Sequence, residues 1–347
     1  MTVLLTGATG FLGQNLLRRL PDVVAVARGA HDRTASLERR SGRRLQVLEA
    51  DITQDRWGLS KDTLESLKGT IDVVVHAAAV TSWTASWSDL IAANVNGSRT
   101  AVAIADLLGV PLVHVSSLFA SYRTAGLVPQ ELADETDDLT KYERSKCRAE
   151  WAIHDEVARR GVPCTIARVG ALVGDDDQSK KGTVAPMARA VAAAAMRNVP
   201  YLSDARIDIC PRNIAADRLG SLIERVQAGD HAPLGETRVT HLGLGHEAPL
   251  VRAVLDEVAQ RRIGDLRIRP RRAPRRVSLS ASRAADRWLG GPRGEVLIGA
   301  RYFCSTAIYE GTPPAIPVSA SMVADALTGT YKAQANSIDR YYRSWVG

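Results

Sequence analysis

Cysteine is scarce in this chain of 347 residues, which has four: Cys147, Cys164, Cys210 and Cys304. No two of them form a Cys-x-x-Cys pair, so the sequence carries no signature of a zinc site or a redox-active dithiol. We therefore expect no bound metal. Reduced thiols are typical of the cytoplasm, and we expect a cytoplasmic protein with four free cysteines.

The sequence also lacks a long hydrophobic run and a basic N-terminal leader. The most apolar stretch, residues 184–196, is interrupted by Arg189 and is too short to span a bilayer, so we interpret it as a buried or half-buried helix. The opening residues, MTVLLTGATG, do not match a signal peptide. These absences predict no membrane partner. We also find no internal repeat and no long low-complexity segment.

The composition is 45% hydrophobic and 24% charged, which is ordinary for a globular protein. The net charge of +7 permits acidic partners, such as phosphorylated cofactors or acidic carrier proteins, without choosing among them. The length suits one large α/β domain with an elaborated second lobe, or two domains. Such a chain can bury a sizeable core without disulfides or metals.

The chain opens with a short apolar run, VLL, followed by TGATGFLG and the amphipathic stretch QNLLRRL. This order indicates a strand, a glycine-rich turn and a helix. Gly7 permits the sharp turn, Gly10 lets the backbone approach a pyrophosphate, and Gly13 lets the helix pack closely on the sheet. The flanking strand and helix are the context that this motif needs. The predicted dinucleotide site includes Gly7, Thr9, Gly10, Phe11, Leu12 and Gly13.

Strands and helices then alternate along the chain. This alternation predicts an α/β fold with a Rossmann-type, doubly wound parallel sheet, in which ligands bind at the carboxyl ends of the strands. Further strands are predicted at 23–28, 44–51, 71–79, 110–117, 162–172 and 235–243, and helices at 140–160 and 249–260. We assign residues 1–175 and about 205–245 to a dinucleotide-binding domain. A smaller, mixed α/β substrate-binding lobe takes about 176–204 and 246–347.

The residue that ends the second strand indicates which cofactor binds. NAD sites commonly have Asp or Glu there, whereas this chain has Arg28, with His31 and Arg33 close behind. Because a guanidinium can pair with the 2′-phosphate of NADP, we expect NADP(H). Asp51 ends the third strand and can accept a hydrogen bond from the adenine amino group, while Ile52 packs on the ring.

A tyrosine and a lysine four residues apart, Tyr142 and Lys146, lie on one face of the predicted helix 140–160. Carbonyl reduction needs a proton donor for the developing alkoxide, and a free tyrosine has a pKa near 10. We expect the ammonium of Lys146 to lower the pKa of Tyr142 and to hold the nicotinamide ribose. Ser117, at the end of the fifth strand, can donate a hydrogen bond to the carbonyl oxygen, with Ser116 as the alternative.

These motifs resemble the extended short-chain dehydrogenase/reductase family. The matching stretches are TGATGFLG, Asp51-Ile52, HAAA (76–79), NVNG (94–97), VSS (115–117), YERSK and RVGALVG, within about residues 1–230. The resemblance implies Tyr142 as general acid/base, Lys146 as its modulator, Ser117 as the third member and Asn94 in support. It also places Ala77, Ala78, Ala79, Ser116 and Val169 along the cofactor. His76 and His114 are expected to be packed strand residues.

Two local features resemble the thioester-reductase and acyl-reductase branch of this family. One is the loop TSWTASW (81–87), and the other is ARIDICPRNIAADRLGSLI (205–223), where the usual Pro-Val-Asp is Pro-Arg-Asn. Leu118-Phe119 after Ser117 argues against a sugar dehydratase. The resemblance implies Trp83, Phe119 and Gly170 as substrate-side residues, although plain packing is equally compatible with Trp83.

We therefore expect an NADPH-dependent reductase for a ketone, aldehyde or thioester of an apolar metabolite, possibly linked to CoA or a carrier protein. A nucleotide-sugar epimerase and a non-catalytic NADP sensor remain alternatives. The basic segment 261–276 is either a docking patch for an acidic carrier or CoA phosphate, or a solvated connection. No nucleic-acid module accompanies it, so we expect no nucleic acid partner. The sequence leaves monomer and homodimer open.

Overall fold

The computed structural model describes residues 2–83, 85–137, 139–174, 199–261, 270–272, 302–311, 314 and 316–329. The predicted helix at 184–196 and most of the basic segment 261–276 lie outside this part of the chain.

The first half of the chain alternates strands and helices, as the sequence predicts. Its elements are β1 (Thr2–Thr6), α1 (Gly13–Arg19), β2 (Asp22–Ala27), α2 (Ala30–Ser41), β3 (Gln46–Glu49), α3 (Lys61–Leu67), β4 (Val73–His76), α4 (Trp87–Leu90), a π-helical segment (Ile91–Asn96), α5 (Gly97–Leu108), β5 (Leu112–Ser117), β6 (Ala125–Val128) and α6 (Lys141–Arg160).

Shorter elements follow in the described part of the second half. They are β7 (Cys164–Val169), β8 (Ala171–Val173), β9 (Val199–Tyr201), β10 (Ile209–Pro211), α7 (Arg212–Gln227), β11 (Thr237–His241), α8 (Val251–Gln260), β12 (Pro270–Arg272), β13 (Thr306–Tyr309) and a helix α9 over 320–329.

Seven strands form the central sheet in the order β11-β7-β5-β4-β1-β2-β3, and every neighbouring pair is parallel. The order runs outward in both directions from β1 and β4. This arrangement confirms the predicted Rossmann-type fold and opens a crevice at the carboxyl ends of β1 and β4. The strand predicted at 235–243 joins the sheet at its edge, as β11.

The sheet is covered on both faces, which explains its continuous apolar strands. Successive residues of β1 face opposite layers, because side chains alternate across a strand. Leu5 packs in the layer that contains Leu16 of α1, whereas Leu4 packs in the layer that contains Trp57 and Ile104. The helix layers thus hold the sheet in place on both faces and leave the carboxyl ends of its strands uncovered.

Helix α6 begins with a capping box. The side chain of Thr140 accepts a hydrogen bond from the Glu143 amide, and the Glu143 side chain accepts one from the Thr140 amide. The helix ends at Gly161, which has a left-handed conformation. The predicted helix is confirmed, and its cap fixes Tyr142 in the first turn.

The strand predicted at 162–172 is interrupted at Gly170, so that β7 and β8 are separate. A Cβ atom at Gly170 would lie 2.6 Å from Oδ1 of Asp208, which means that the chain segment before β10 approaches the backbone closely. β8 leaves the central sheet and pairs with β10. Two further small parallel pairs are β9 with β12 and β6 with β13. The division into two domains stays a prediction.

Candidate active site

The glycine-rich turn between β1 and α1 is built from close backbone contacts. Gly7 has a φ of 76°, and a Cβ there would lie 2.6 Å from the carbonyl carbon of Ala77. A Cβ at Gly13 would lie 2.0 Å from the carbonyl oxygen of Gly7, while the Gly10 amide donates to that oxygen at 2.8 Å. The turn therefore requires glycine at positions 7 and 13, for conformation and for space.

A cavity of about 610 Å³ runs along the carboxyl edge of the sheet, from this turn to Tyr142. Every residue predicted to bind the cofactor lines it, together with Ser117 and Gly170. The structure thus brings the glycine turn and the tyrosine region into one site.

Arginines gather at the end of the cavity next to β2. Arg28 is largely exposed, with 76% of its side chain accessible, and its guanidinium lies 3.9 Å from a carboxylate oxygen of Asp51. Arg33 and Arg40 of α2 line the same end. Sequence reasoning missed Arg40, although its position seven residues after Arg33 places it two helical turns away on a similar face. The nearby carboxylate of Glu49 accepts hydrogen bonds from the Gly29 and Ala30 amides, which lower its pKa.

Tyr142 lies at the opposite end of the cavity and is buried. Burial raises its pKa to about 12, a hydrogen bond with Ser117 opposes this shift, and the charge of Glu143 adds to it. The expected lowering of the pKa by Lys146 is therefore wrong for this structure, because desolvation disfavours the phenolate most strongly. A phenol with a raised pKa stays protonated at neutral pH, as a proton donor must.

Lys146 lies one helical turn after Tyr142 and is also buried. Its ammonium donates a hydrogen bond to the Val115 carbonyl at 3.2 Å. Burial lowers the pKa of Lys146 to about 8, and the charge of Glu150 acts in the opposite direction. At neutral pH the side chain remains mostly charged, and it loses this charge as the pH rises through about 8.

The two serines at the end of β5 have different partners. The Ser117 hydroxyl accepts from the Phe119 amide at 3.2 Å and lies close enough to the Tyr142 hydroxyl to oppose the rise in its pKa. The Ser116 hydroxyl instead donates to Glu150 at 2.5 Å. Because alternate residues of a strand face opposite sides, only Ser117 reaches Tyr142, which favours it over Ser116.

Glu150 belongs to a buried polar network beneath the site. It forms a salt bridge of 2.6 Å with Arg168 on β7, and both side chains are at most 1% exposed. Nη1 of Arg168 lies 3.1 Å from Nε2 of His241, whose Nδ1 lies 2.7 Å from the Glu310 carbonyl oxygen. The network therefore ties β5, α6, β7 and β11 together behind the carboxyl end of β5.

Asn94 lies in the π-helical segment and does not line the cavity. Its side chain accepts from the Val80 amide at 2.8 Å and donates to the Val80 carbonyl at 3.0 Å. It also donates to the Ser145 hydroxyl at 3.0 Å. Asn94 thus fixes the loop after β4 against α6, which fits the predicted supporting role.

His76 and His114 are packed within the strands, as predicted. Trp57, His76 and His114 stack in series with ring centroids 5.5 Å apart. Burial and the charge of Lys146 lower the pKa of His76 to about 3 and depress the pKa of His114 strongly. Both rings are therefore neutral.

An aromatic cluster lies beside the site, formed by Trp83, Phe119, Tyr122 and Tyr302. The Tyr302 ring is 4.5 Å from Phe119, 5.4 Å from Trp83 and 5.1 Å from Tyr122. Trp83 is buried in this cluster and lines neither neighbouring cavity, whereas Phe119 lines a second, smaller cavity with Gly170. A direct substrate contact of Trp83 stays a prediction.

Three further features concern the described part of the chain. All four cysteines lie in this part of the chain and are buried. Within the described ranges, no group of His, Cys, Asp or Glu side chains is arranged to hold a metal ion. None of the described helices combines the length and apolar character needed to cross a membrane.

Comparison with known proteins assigns this fold and site to a class. The family described as male sterility protein, an NAD-binding family, matches residues 5–219. The chain belongs to this family, a thioester-reductase-like branch of the extended short-chain dehydrogenases/reductases. It contains an NAD(P)-binding domain.

The chain resembles single segments of much longer proteins. It is 28% identical over 200 residues to glycine betaine reductase ATRR of Emericella nidulans, covering 50% of this chain and 16% of that protein. It is 30% identical over 210 residues to the L-2-aminoadipate reductase large subunit of Penicillium chrysogenum, covering 50% of this chain and 15% of that protein. The chain thus matches about one sixth of the length of these relatives.

Solved structures show the same fold over nearly the whole chain. The terminal R domain of the myxalamid PKS-NRPS pathway superimposes with a TM-score of 0.71 at 23% identity, covering 95% of this chain and 90% of that one. UDP-glucose 4-epimerase from Bifidobacterium longum, in complex with NAD+ and UDP, gives 0.63 at 16% identity, covering 97% and 99%.

Proposed function

We propose that the protein reduces the carbonyl group of a thioester, aldehyde or ketone with NADPH, and that its substrate is an acyl group carried on CoA or a carrier protein. The observation that supports this most strongly is the single cavity that joins an arginine-rich end to Ser117, Tyr142 and Lys146. The family and the reductases among the relatives support the same reaction class.

The residues present fit a bound NADPH. Gly7 and Gly13 allow the tight turn, Gly10 leaves the backbone open to the pyrophosphate, and Arg28 with Arg33 can pair with the 2′-phosphate. Lys146 lies at the other end of the cavity, where it can hold the nicotinamide ribose. When bound, NADPH supplies the hydride to the carbonyl carbon.

Ser117 and Tyr142 complete the reduction on the oxygen side. The Ser117 hydroxyl fixes the carbonyl oxygen by a hydrogen bond, and the Tyr142 phenol transfers its proton to that oxygen as negative charge develops. A ketone or aldehyde becomes an alcohol. A thioester becomes a hemithioacetal, which releases its thiol and leaves an aldehyde that can be reduced again with a second NADPH.

Reversing the charge of Arg28 is expected to change the preference for the cofactor. In Arg28→Asp, the carboxylate repels the 2′-phosphate, and the loss of a charge-assisted hydrogen bond lowers kcat/KM for NADPH by about 10–100-fold. The kcat/KM of this variant for NADH is expected to stay similar or to rise. The measurement is the ratio of kcat/KM for the two cofactors at constant ionic strength.

Arg39→Asp is the matched control, because Arg39 is an exposed residue of α2 outside the cavity lining. It should leave the cofactor ratio within about twofold. An equal change in both variants would show only a general effect of net charge, and an unchanged ratio in Arg28→Asp would contradict the proposed NADPH preference.

The pH dependence of reduction is expected to follow Lys146. Its pKa of about 8 means that the ammonium is present below pH 8 and is lost as the pH rises above that value. We expect kcat/KM for the carbonyl substrate to be level from pH 6 to about 7.5 and to fall about tenfold per pH unit well above 8. In Lys146→Arg, the fall of kcat/KM should move beyond pH 10. If kcat/KM of the wild type stays level up to pH 10, the reaction does not require the ammonium of Lys146.

A further inference from the structure

A second cavity of about 40 Å³ lies next to the active-site cavity, and Gly170 lines both. Gly170 directly follows Val169, which is paired in register with Ser117 across the sheet. Phe119, two residues after Ser117, forms another part of the wall. The second cavity therefore begins beside the place where a reacting carbonyl meets Ser117.

The described walls of this cavity are mainly aromatic rings and small apolar side chains. They include Phe119, Tyr122, Tyr302, Tyr309, Ala248 and Ala307. Two of the polar wall residues are engaged by the protein itself: Arg206 donates to the Ala248 carbonyl at 2.6 Å, and Ser305 donates to the Arg123 carbonyl at 3.0 Å. Oδ2 of Asp208 accepts from the Leu244 amide at 2.7 Å, whereas the buried Oδ1 of the same carboxylate has no hydrogen-bond partner among the described residues. Apart from this one oxygen, the surface offered to a ligand is mainly apolar.

Tyr302 fixes one wall of the cavity to the catalytic helix. Its hydroxyl donates a hydrogen bond to the carboxylate of Glu143, which is fully buried and follows Tyr142 directly in the chain. Glu143 also caps α6 through the Thr140 amide at 2.7 Å. This bond and the contact with Phe119 hold the ring in the cavity wall.

We propose that this second cavity is a size-selective pocket for the apolar end of a short acyl group, a conclusion that rests on the proposed function. A cavity needs about 10–15 Å³ for each water molecule that it holds, so this one has room for about three water molecules. Acyl groups of about four or five carbons fill it when their carbonyl lies at Ser117. Acetyl groups do not reach it, and long or branched chains exceed it.

Filling the pocket tests the proposal. Ala248 is buried in the cavity wall and has no part in proton transfer or in the cofactor cavity. In the wild type, pentanoyl-CoA should have at least a tenfold higher kcat/KM than acetyl-CoA, since each methylene contributes about 10-fold or more in a fitted pocket. In Ala248→Leu, the value for pentanoyl-CoA should fall about 10–100-fold, and the value for acetyl-CoA should stay within threefold.

Ala307→Leu is a second filling variant, on the opposite segment β13. Ala125→Leu is the matched control, because Ala125 is exposed and is the register partner of Thr306 in the same small sheet. The control should keep the wild-type chain-length profile. If Ala248→Leu and Ala307→Leu both fold and both keep the wild-type dependence of kcat/KM on chain length, the proposed pocket is wrong.

A binding measurement separates the pocket from the proposed reaction. We expect the ¹⁹F line of 4,4,4-trifluorobutanol to broaden with the wild-type protein and with Ala125→Leu, but not with Ala248→Leu or Ala307→Leu. If this pattern appears while no thioester is reduced, the pocket stands and the proposed function fails. If thioesters are reduced but the probe does not broaden with the wild type, the pocket is overturned and the function stands.

Discussion

Replacing Tyr142 by phenylalanine is expected to lower kcat for carbonyl reduction by about 10²–10⁴-fold, the usual contribution of a general acid. The phenol lies beside Ser117 and, with its pKa raised to about 12, carries its proton at neutral pH. Phenylalanine keeps the ring in the buried site but removes that proton. The measurement is steady-state NADPH oxidation, with the variant's fold checked by circular dichroism.

NADPH affinity is the internal control for this variant, because the phenol is only one of many groups along the cofactor cavity. We expect the dissociation constant from NADPH fluorescence to change by less than about tenfold. Tyr201→Phe removes a hydroxyl from another buried tyrosine, outside both cavity linings, and should retain full activity. Undiminished turnover by Tyr142→Phe would remove the tyrosine from the mechanism.

Breaking the buried pair of Arg168 and Glu150 is expected to cause the largest loss of stability. In Arg168→Met, Glu150 keeps a buried carboxylate without its counter-ion, which costs about 3–5 kcal/mol of the free energy of unfolding. The double variant Glu150→Gln/Arg168→Met should recover much of that loss, because the carboxylate that loses its partner is also removed. Urea denaturation of the three proteins measures the effect.

A surface pair provides the comparison. Arg252 and Asp256 lie 3.5 Å apart on α8, with 67% and 50% of their side chains exposed, so Arg252→Met should cost less than about 1 kcal/mol. A loss of under about 1 kcal/mol in Arg168→Met as well would show that the buried network does not hold the sheet together.

The sequence predicted the parts of this site that depend on local pattern. The spacing of Gly7 and Gly13 indicates the turn, Arg28 follows a clear strand, and the predicted helix at 140–160 places Tyr142 in its first turn. Because parallel strands bring their carboxyl ends to one edge, these separate signals predict a single site. The central sheet followed from the same alternation.

Other features depend on contacts between distant residues and have no local signal. Tyr302 bonds Glu143, a residue 159 positions earlier, and His241 reaches Arg168 across 73 positions. The raised pKa of Tyr142 reflects burial by the whole fold, which the spacing to Lys146 does not reveal. The break at Gly170 likewise depends on the approach of Asp208.

The most direct test of the proposed reaction is the transfer of deuterium from NADPH labelled at the transferred C4 position to butanoyl-CoA, with the products identified by mass spectrometry. We expect free CoA together with butanal that carries one deuterium at the former carbonyl carbon, or butanol that carries two. Each labelled NADPH consumed in the reduction delivers one deuterium. Unconsumed NADPH and intact thioester would contradict the account. Epimerised nucleotide sugar with tightly bound NAD would establish the sugar-modifying alternative.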